Sequence, residues 1–189
     1  MADYSVVPDF GMPATNDLTN AHDAWQFVQD FRAELLTMIP QLRAFARMLS
    51  YDKNNAEELS LKTLAKAWCS RLAVGPETNL KAWLFTIARN EFYSNRRYEL
   101  RKALLEQGAA KGNSSYRAGP IRSAEAPDTM HALRLLPDQF REALILVSAS
   151  GCSYEEAAKI CDCPVGTVKS RVFRARQALA ANFDAISAV

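Results

Sequence analysis

Between Thr167 and Arg176 the chain gathers Thr167, Lys169, Ser170, Arg171, Phe173, Arg174 and Arg176. Hydroxyls, cations and one aromatic at helical spacing are the groups that read duplex DNA. Arginine reaches a guanine edge or a phosphate, hydroxyls bond either, and an apolar ring meets sugar or a thymine methyl. Val168, Val172, Ala175 and Leu179 fall at i, i+4, i+7 and i+11, a narrow apolar stripe suited to packing the same helix. Phe173 lies away from that stripe, where a large ring has no packing role. A solvated basic face with one stray aromatic is the plainer alternative. Turn, stripe and basic face agree on one helix, however, and together they favour DNA contact.

A second constellation has a different chemistry. Trp83, Thr86, Asn90, Tyr93 and Arg97 recur at i, i+3, i+7, i+10 and i+14, with Arg89 and Arg96 beside them. Rings that stack on bases, an amide that reads a base edge and arginines that hold phosphate suit unpaired DNA. The competing reading packs Trp83 and Tyr93 against neighbouring helices, and the pattern alone leaves both open.

These residues need elements to hold them. Ser153 is placed to cap a helix with Glu155 and Glu156 in its first turn, where the helix dipole favours acids. Ala157, Ala158 and Ile160 give that helix a small apolar face. The segment Cys161–Pro164 breaks it, and Pro164 can open the next helix. The result is a helix-turn-helix. Upstream, Ala24–Ser50 reads as a helix with Phe27, Phe31, Leu35, Met38 and Leu42 along one side, kinked or restarted at Pro40. A second helix spans about Asn54 to Leu72, a turn follows at Val74–Thr78, and Asn79 caps a long helix reaching Gln107. Short helices are expected over Asp128–Leu136 and from Pro137 to Gly151.

The expectation is therefore an all-α protein of two small helical domains joined by a flexible linker. A flexible arm covers residues 1–22, a first domain 23–107, a Gly/Ser/Ala/Pro-rich linker 108–127 and a second domain 128–189. A hydrophobic content of 49% supports folded cores, whereas a net charge of +2 is no argument for nucleic acid, which must be made locally. No apolar run is long enough to span a bilayer and no signal peptide is evident, so a cytoplasmic protein is expected. Cys69, Cys152, Cys161 and Cys163 lack paired metal spacing and His22 and His131 are remote, so neither metal nor other cofactor is expected. Neither a P-loop nor a G-x-S-x-G elbow occurs, which argues against an enzyme and a small-molecule substrate.

The runs NNAEELSLKTLAKAW (54–68), NLKAWLFTIARNEFYSNRR (79–97), LPDQFREALILVSASGCSYEEAAKICDCPVGTVKSR (136–171) and FRAR (173–176) resemble, in order and spacing, the extracytoplasmic-function (ECF) sigma factors of the sigma-70 family. The wording is closest to the EcfG general-stress type. The resemblance implies two modules, sigma region 2 and sigma region 4. Region 2 would bind core RNA polymerase and capture unpaired −10 promoter bases through Trp83, Thr86, Arg89, Asn90, Tyr93, Arg96 and Arg97. Region 4 would read the −35 element through Thr167 to Arg176. It further implies polymerase contacts at Glu58, Leu59, Leu61, Lys62, Thr63, Lys66 and Trp68, and control by a NepR-like anti-sigma factor. One departure stands out: where the family usually carries Gln–Glu, this chain has Leu61 and Lys62, which reverses charge on the implied polymerase face. Two other readings follow from the same residues, a sigma-like decoy that sequesters an anti-sigma factor and a dimeric helix-turn-helix regulator.

Overall fold

The computed structural model describes residues 21–50, 52–75, 77–107 and 128–187. The expected linker 108–127 and the expected arm, apart from its last two residues, lie outside them. All regular elements among the described residues are helical. Helix α1 runs Ala21–Ser50, α2 Lys53–Cys69, α3 Leu80–Gln107, α4 Asp128–Arg134, α5 Asp138–Leu144, α6 Tyr154–Cys161 and α7 Val165–Ser187. A single 3₁₀ turn, Arg71–Ala73, leads out of α2, and α5 continues into one π-helical turn, Ile145–Ala149.

Local chemistry explains the boundaries. Asp52 caps α2 by accepting from the Asn55 amide at 2.8 Å, and Asn79 caps α3 by accepting from the Ala82 amide at 3.0 Å. Gly151 takes φ +62°, the left-handed conformation that ends the π turn with little steric cost to glycine. Helix α1 does not restart at Pro40; it passes through that exposed residue as one helix. Of the α1 side chains expected to pack, Phe31, Leu35 and Leu42 are buried, Met38 is partly so and Phe27 is half-buried beside Phe31, and the stripe continues to Phe45 and Leu49.

Helix α3 organises the molecule. It packs on α1 and α2 on one side and on α6 on the other. Over its first turns Leu80, Ala82, Trp83, Leu84, Phe85, Thr86 and Ala88 are all buried, as befits a helix covered nearly all round. Phe85 stacks on Phe45 with ring centroids 4.8 Å apart, and Trp83 meets Phe31 edge-on. One apolar cluster runs from Phe31 and Leu42 in α1, through α3, to Ile145, Ala157, Ile160 and Val168. No helix among the described residues is long and apolar enough to cross a membrane.

Candidate nucleic-acid interface

The helix-turn-helix forms as its sequence dictates. The Glu156 amide donates to Ser153 Oγ at 3.0 Å while the Ser153 amide donates to Glu156 Oε2 at 2.7 Å, a reciprocal cap. The Ser153 backbone amide, ahead of Asn79 and Lys81 and against a desolvation effect, holds the Glu156 carboxyl below its ordinary range. Asp162 ends α6 in the left-handed conformation, φ 50°, a geometry that aspartate tolerates. Helix α7 then opens behind Pro164, with Thr167 and Val168 amides bonding the Pro164 carbonyl.

Helix α7 divides cleanly. Val168, Val172 and Ala175 are buried and Leu179 is partly so. Phe173 stands 62% exposed, with Lys169, Ser170, Arg174 and Arg176 also in solvent. The exposed ring therefore sits among three exposed cations, Lys169, Arg174 and Arg176. Lys169 Nζ lies 5.7 Å over the Tyr154 ring of α6, which holds it at the edge of the face. Thr167 is half-buried and accepts, through its carbonyl, from Ser170 Oγ at 2.9 Å. Arg171 is engaged elsewhere: its guanidinium donates to Gln139 Oε1 at 3.0 Å and reaches Cys163 Sγ at 3.5 Å. It ties α7 to α5 and to the turn. Phe173 and Arg174 are thus the free centre of the face, and Arg171 its support.

The α3 constellation is rearranged by packing. Trp83 and Thr86 are buried, Trp83 in the aromatic cluster and Thr86 with its hydroxyl donating to the Ala82 carbonyl at 2.8 Å. Neither is presented to a strand, which corrects the expectation drawn from spacing. The wheel placed both on one face, and α1 with the rest of the core covers that face. Asn90 is half-buried and Arg97 exposed, next to Ser94 Oγ. Arg89, Tyr93 and Arg96 turn toward the other half of the molecule. Arg89 Nε donates to Glu142 Oε1 at 2.6 Å, Tyr93 Oη donates to Glu142 Oε2 at 3.1 Å, and Arg96 pairs with Asp138. Burial pushes the Glu142 carboxyl up, and Arg89 and Tyr93 oppose it. Burial and the same carboxylate hold the Tyr93 phenol well above its ordinary value. Sequence reasoning missed Glu142; its only trace was an acid beside Arg141 at the head of the apolar run 143–147.

On α2 the implied polymerase face is split in the same way. Leu59 and Thr63 are buried, with Thr63 Oγ1 donating to the Leu59 carbonyl at 2.7 Å; they pack α2 and do not face outward. Glu58, Leu61, Lys62, Lys66 and Trp68 are exposed. Lys62 pairs with Glu58 one turn back at 2.7 Å, Lys66 pairs with the buried Glu91, and Arg71 lies 4.9 Å over the Trp68 ring. No group of three or more potential metal ligands occurs among the described residues.

Two helical modules, one presenting a helix-turn-helix with a basic, aromatic outer face and the other an arginine-rich helix, define a class, and the comparisons supply its name. The sigma-70 region 2 profile matches residues 35–102 and the sigma-70 region 4 profile matches residues 128–179. The ECF sigma factor EcfG of Rhodopseudomonas palustris (strain TIE-1) is 45% identical over 150 residues, covering 79% of this chain and 83% of that protein. The ECF sigma factor SigC of Mycobacterium tuberculosis is 33% identical over 143 residues, covering 73% and 76%. Among solved structures, the sigma factor RpoE in complex with the anti-sigma factor NepR from Bartonella quintana is 45% identical. It superposes with a TM-score of 0.71, covering 82% of this chain and 98% of that one. The chain belongs to the ECF sigma factors of the sigma-70 family, and its likeness is to their EcfG type.

Proposed function

We propose that this chain gives core RNA polymerase its promoter selectivity in the cytoplasm, at genes of the general stress response. Helix α7 reads the −35 duplex through Phe173 and Arg174, with Thr167, Lys169, Ser170 and Arg176 around them and Arg171 positioning the helix. Asn90, Arg97 and, once uncovered, Arg89, Tyr93 and Arg96 hold the unpaired −10 strand. The exposed face of α2, from Glu58 and Leu61 through Lys62 and Lys66 to Trp68, docks on polymerase. A NepR-like anti-sigma factor silences the chain, as the RpoE relative crystallised with NepR suggests.

The observation that carries this reading is the exposed Phe173–Arg174 pair on a helix whose opposite side is locked by Val168, Val172 and Ala175. A decoy that only sequesters an anti-sigma factor has no use for such a face. Leu61 and Lys62 favour the decoy, but Lys62 is paired within α2 by Glu58, which softens the charge reversal. Run-off transcription with core polymerase separates the two. A promoter-specific transcript that a NepR-like protein suppresses supports the sigma factor, and an active preparation that yields none supports the decoy.

A further inference from the structure

Two of the three arginines read as −10 ligands, Arg89 and Arg96, already have anionic partners, and those partners belong to the other module. Arg89, Tyr93 and Arg96 occupy one side of α3. Asp138 and Glu142 sit one turn apart on α5, about 6 Å along its axis. Glu142 is 1% exposed and takes both Arg89 and Tyr93, while Asp138 takes Arg96 and is itself steadied by Arg141 Nη2 at 2.8 Å. Two further polar contacts close the same seam. Asn79 Nδ2 donates to Glu156 Oε1 at 2.6 Å, and Lys81 Nζ donates to the Gly151 carbonyl at 3.2 Å. The seam therefore carries charge-assisted bonds along its length, with a fully buried carboxylate at its centre.

We infer that Asp138 and Glu142 form an intramolecular latch that stands in for DNA phosphates on α3 and holds the factor closed. The inference rests on the reading of Arg89, Tyr93 and Arg96 as strand ligands. Glu142 and Asp138 already neutralise Arg89 and Arg96, so phosphates of the strand must compete with the latch for the same cations. Apparent affinity for the strand is then the intrinsic affinity scaled by the fraction of molecules with the latch open. A carboxylate buried as Glu142 is, without Arg89, is strongly disfavoured, so the two modules separate with both charges re-solvated or not at all. Engagement of polymerase or DNA with the separated modules would supply the driving force.

The test alters only the acid side, since Glu142 and Asp138 have no part in binding DNA. Hydrogen exchange on full-length protein is followed at amides of 79–89 and 151–161, which flank the seam, and of α1 and α2, which do not. Glu142→Gln leaves Arg89 facing a neutral group and is expected to speed exchange at the seam by about tenfold or more. Asp138→Asn breaks a half-exposed pair and is expected to speed it by about two- to fivefold. Helices α1 and α2 keep their wild-type exchange. With core polymerase and limiting factor, both variants give more run-off transcript than wild type. Unchanged seam exchange in both variants overturns the latch, as does faster exchange without a gain in transcript. Faster exchange everywhere in Glu142→Gln marks a structural defect, and Asp138→Asn then decides. Should wild type yield no transcript, the sigma reading fails. The latch is then judged by seam exchange together with anisotropy of a labelled single-stranded oligonucleotide, whose binding must rise in the variants.

Discussion

Phe173 and Arg174 are adjacent and exposed, yet their loss should be felt only when DNA is present. Arg174→Ala is expected to weaken binding to a −35 duplex by about 1–3 kcal/mol if the side chain reads a base edge. Its thermal midpoint should stay near wild type, because an exposed substitution away from packing shifts stability by about 0.5 kcal/mol or less. Arg171→Ala is the contrasting case. Its guanidinium bridges to Gln139 and Cys163, so truncation should lower the melting temperature as well as the affinity. Equal melting temperatures for the two variants would show that Arg171 is as free as Arg174. Asn90→Ala should leave duplex binding intact and reduce promoter opening, read as lost permanganate reactivity of thymines in the −10 element. At this scale α7 was legible in the sequence because one side of a helix packs and the other does not, and a period of 3.6 separates the two. Trp83 and Thr86 were not legible. Periodicity sorts residues onto faces but does not say how many faces will be covered, and on the first turns of α3 nearly all are.

The elements owe their ends to a few side chains, and the cap of α6 is open to direct test. Ser153→Ala removes the acceptor for the Glu156 amide and should cost about 1 kcal/mol. The return bond from the Ser153 amide makes this cap pH-dependent. Because the folded protein holds the Glu156 carboxyl below its unfolded value, the carboxylate's contribution is complete above the ordinary range near ~4.3. It drains away as pH falls through the lowered folded value. Glu156→Gln should therefore lower the urea midpoint at pH 7 and differ little from wild type in acid. A constant gap between the two proteins across that range would mean the charge plays no part. The same carboxylate accepts from Asn79 at 2.6 Å, so the cap of α6 also touches the cap of α3. Ser153 and Asn79 were each legible as caps, since capping is written in residues three apart. Their link through Glu156 was not, because it joins residues 77 positions apart in the chain.

A linker-separated pair of helical modules suggests two cores, but one apolar cluster passes from α1 through α3 into α6 and α7. Composition marks 108–127 as a break in periodicity, a stretch outside the described residues, and carries no information on whether the modules dock. Docking is settled by what α3 offers on its second side: Asn79 and Lys81, which reach Glu156 and the Gly151 carbonyl, and cations that find Glu142 and Asp138 opposite. The thermodynamic consequence is cooperativity across the chain. Leu84 is fully buried in the shared cluster, so Leu84→Ala should cost about 2–5 kcal/mol through lost burial and the cavity left behind. If the cluster is one cooperative unit, amides in α1 and α2 and amides in α6 and α7 should all lose protection by a similar factor, and calorimetry should show a single transition moved to lower temperature. If the modules fold independently, α6 and α7 would keep their protection while α1 and α2 lose theirs, and the transition would split. The separation matters for mechanism. A factor whose halves share a core keeps its open fraction small, and polymerase must bind the open form far more tightly than the closed one to shift that balance. A factor whose halves merely touch would be open in a large fraction of molecules, with only an external inhibitor left to restrain it.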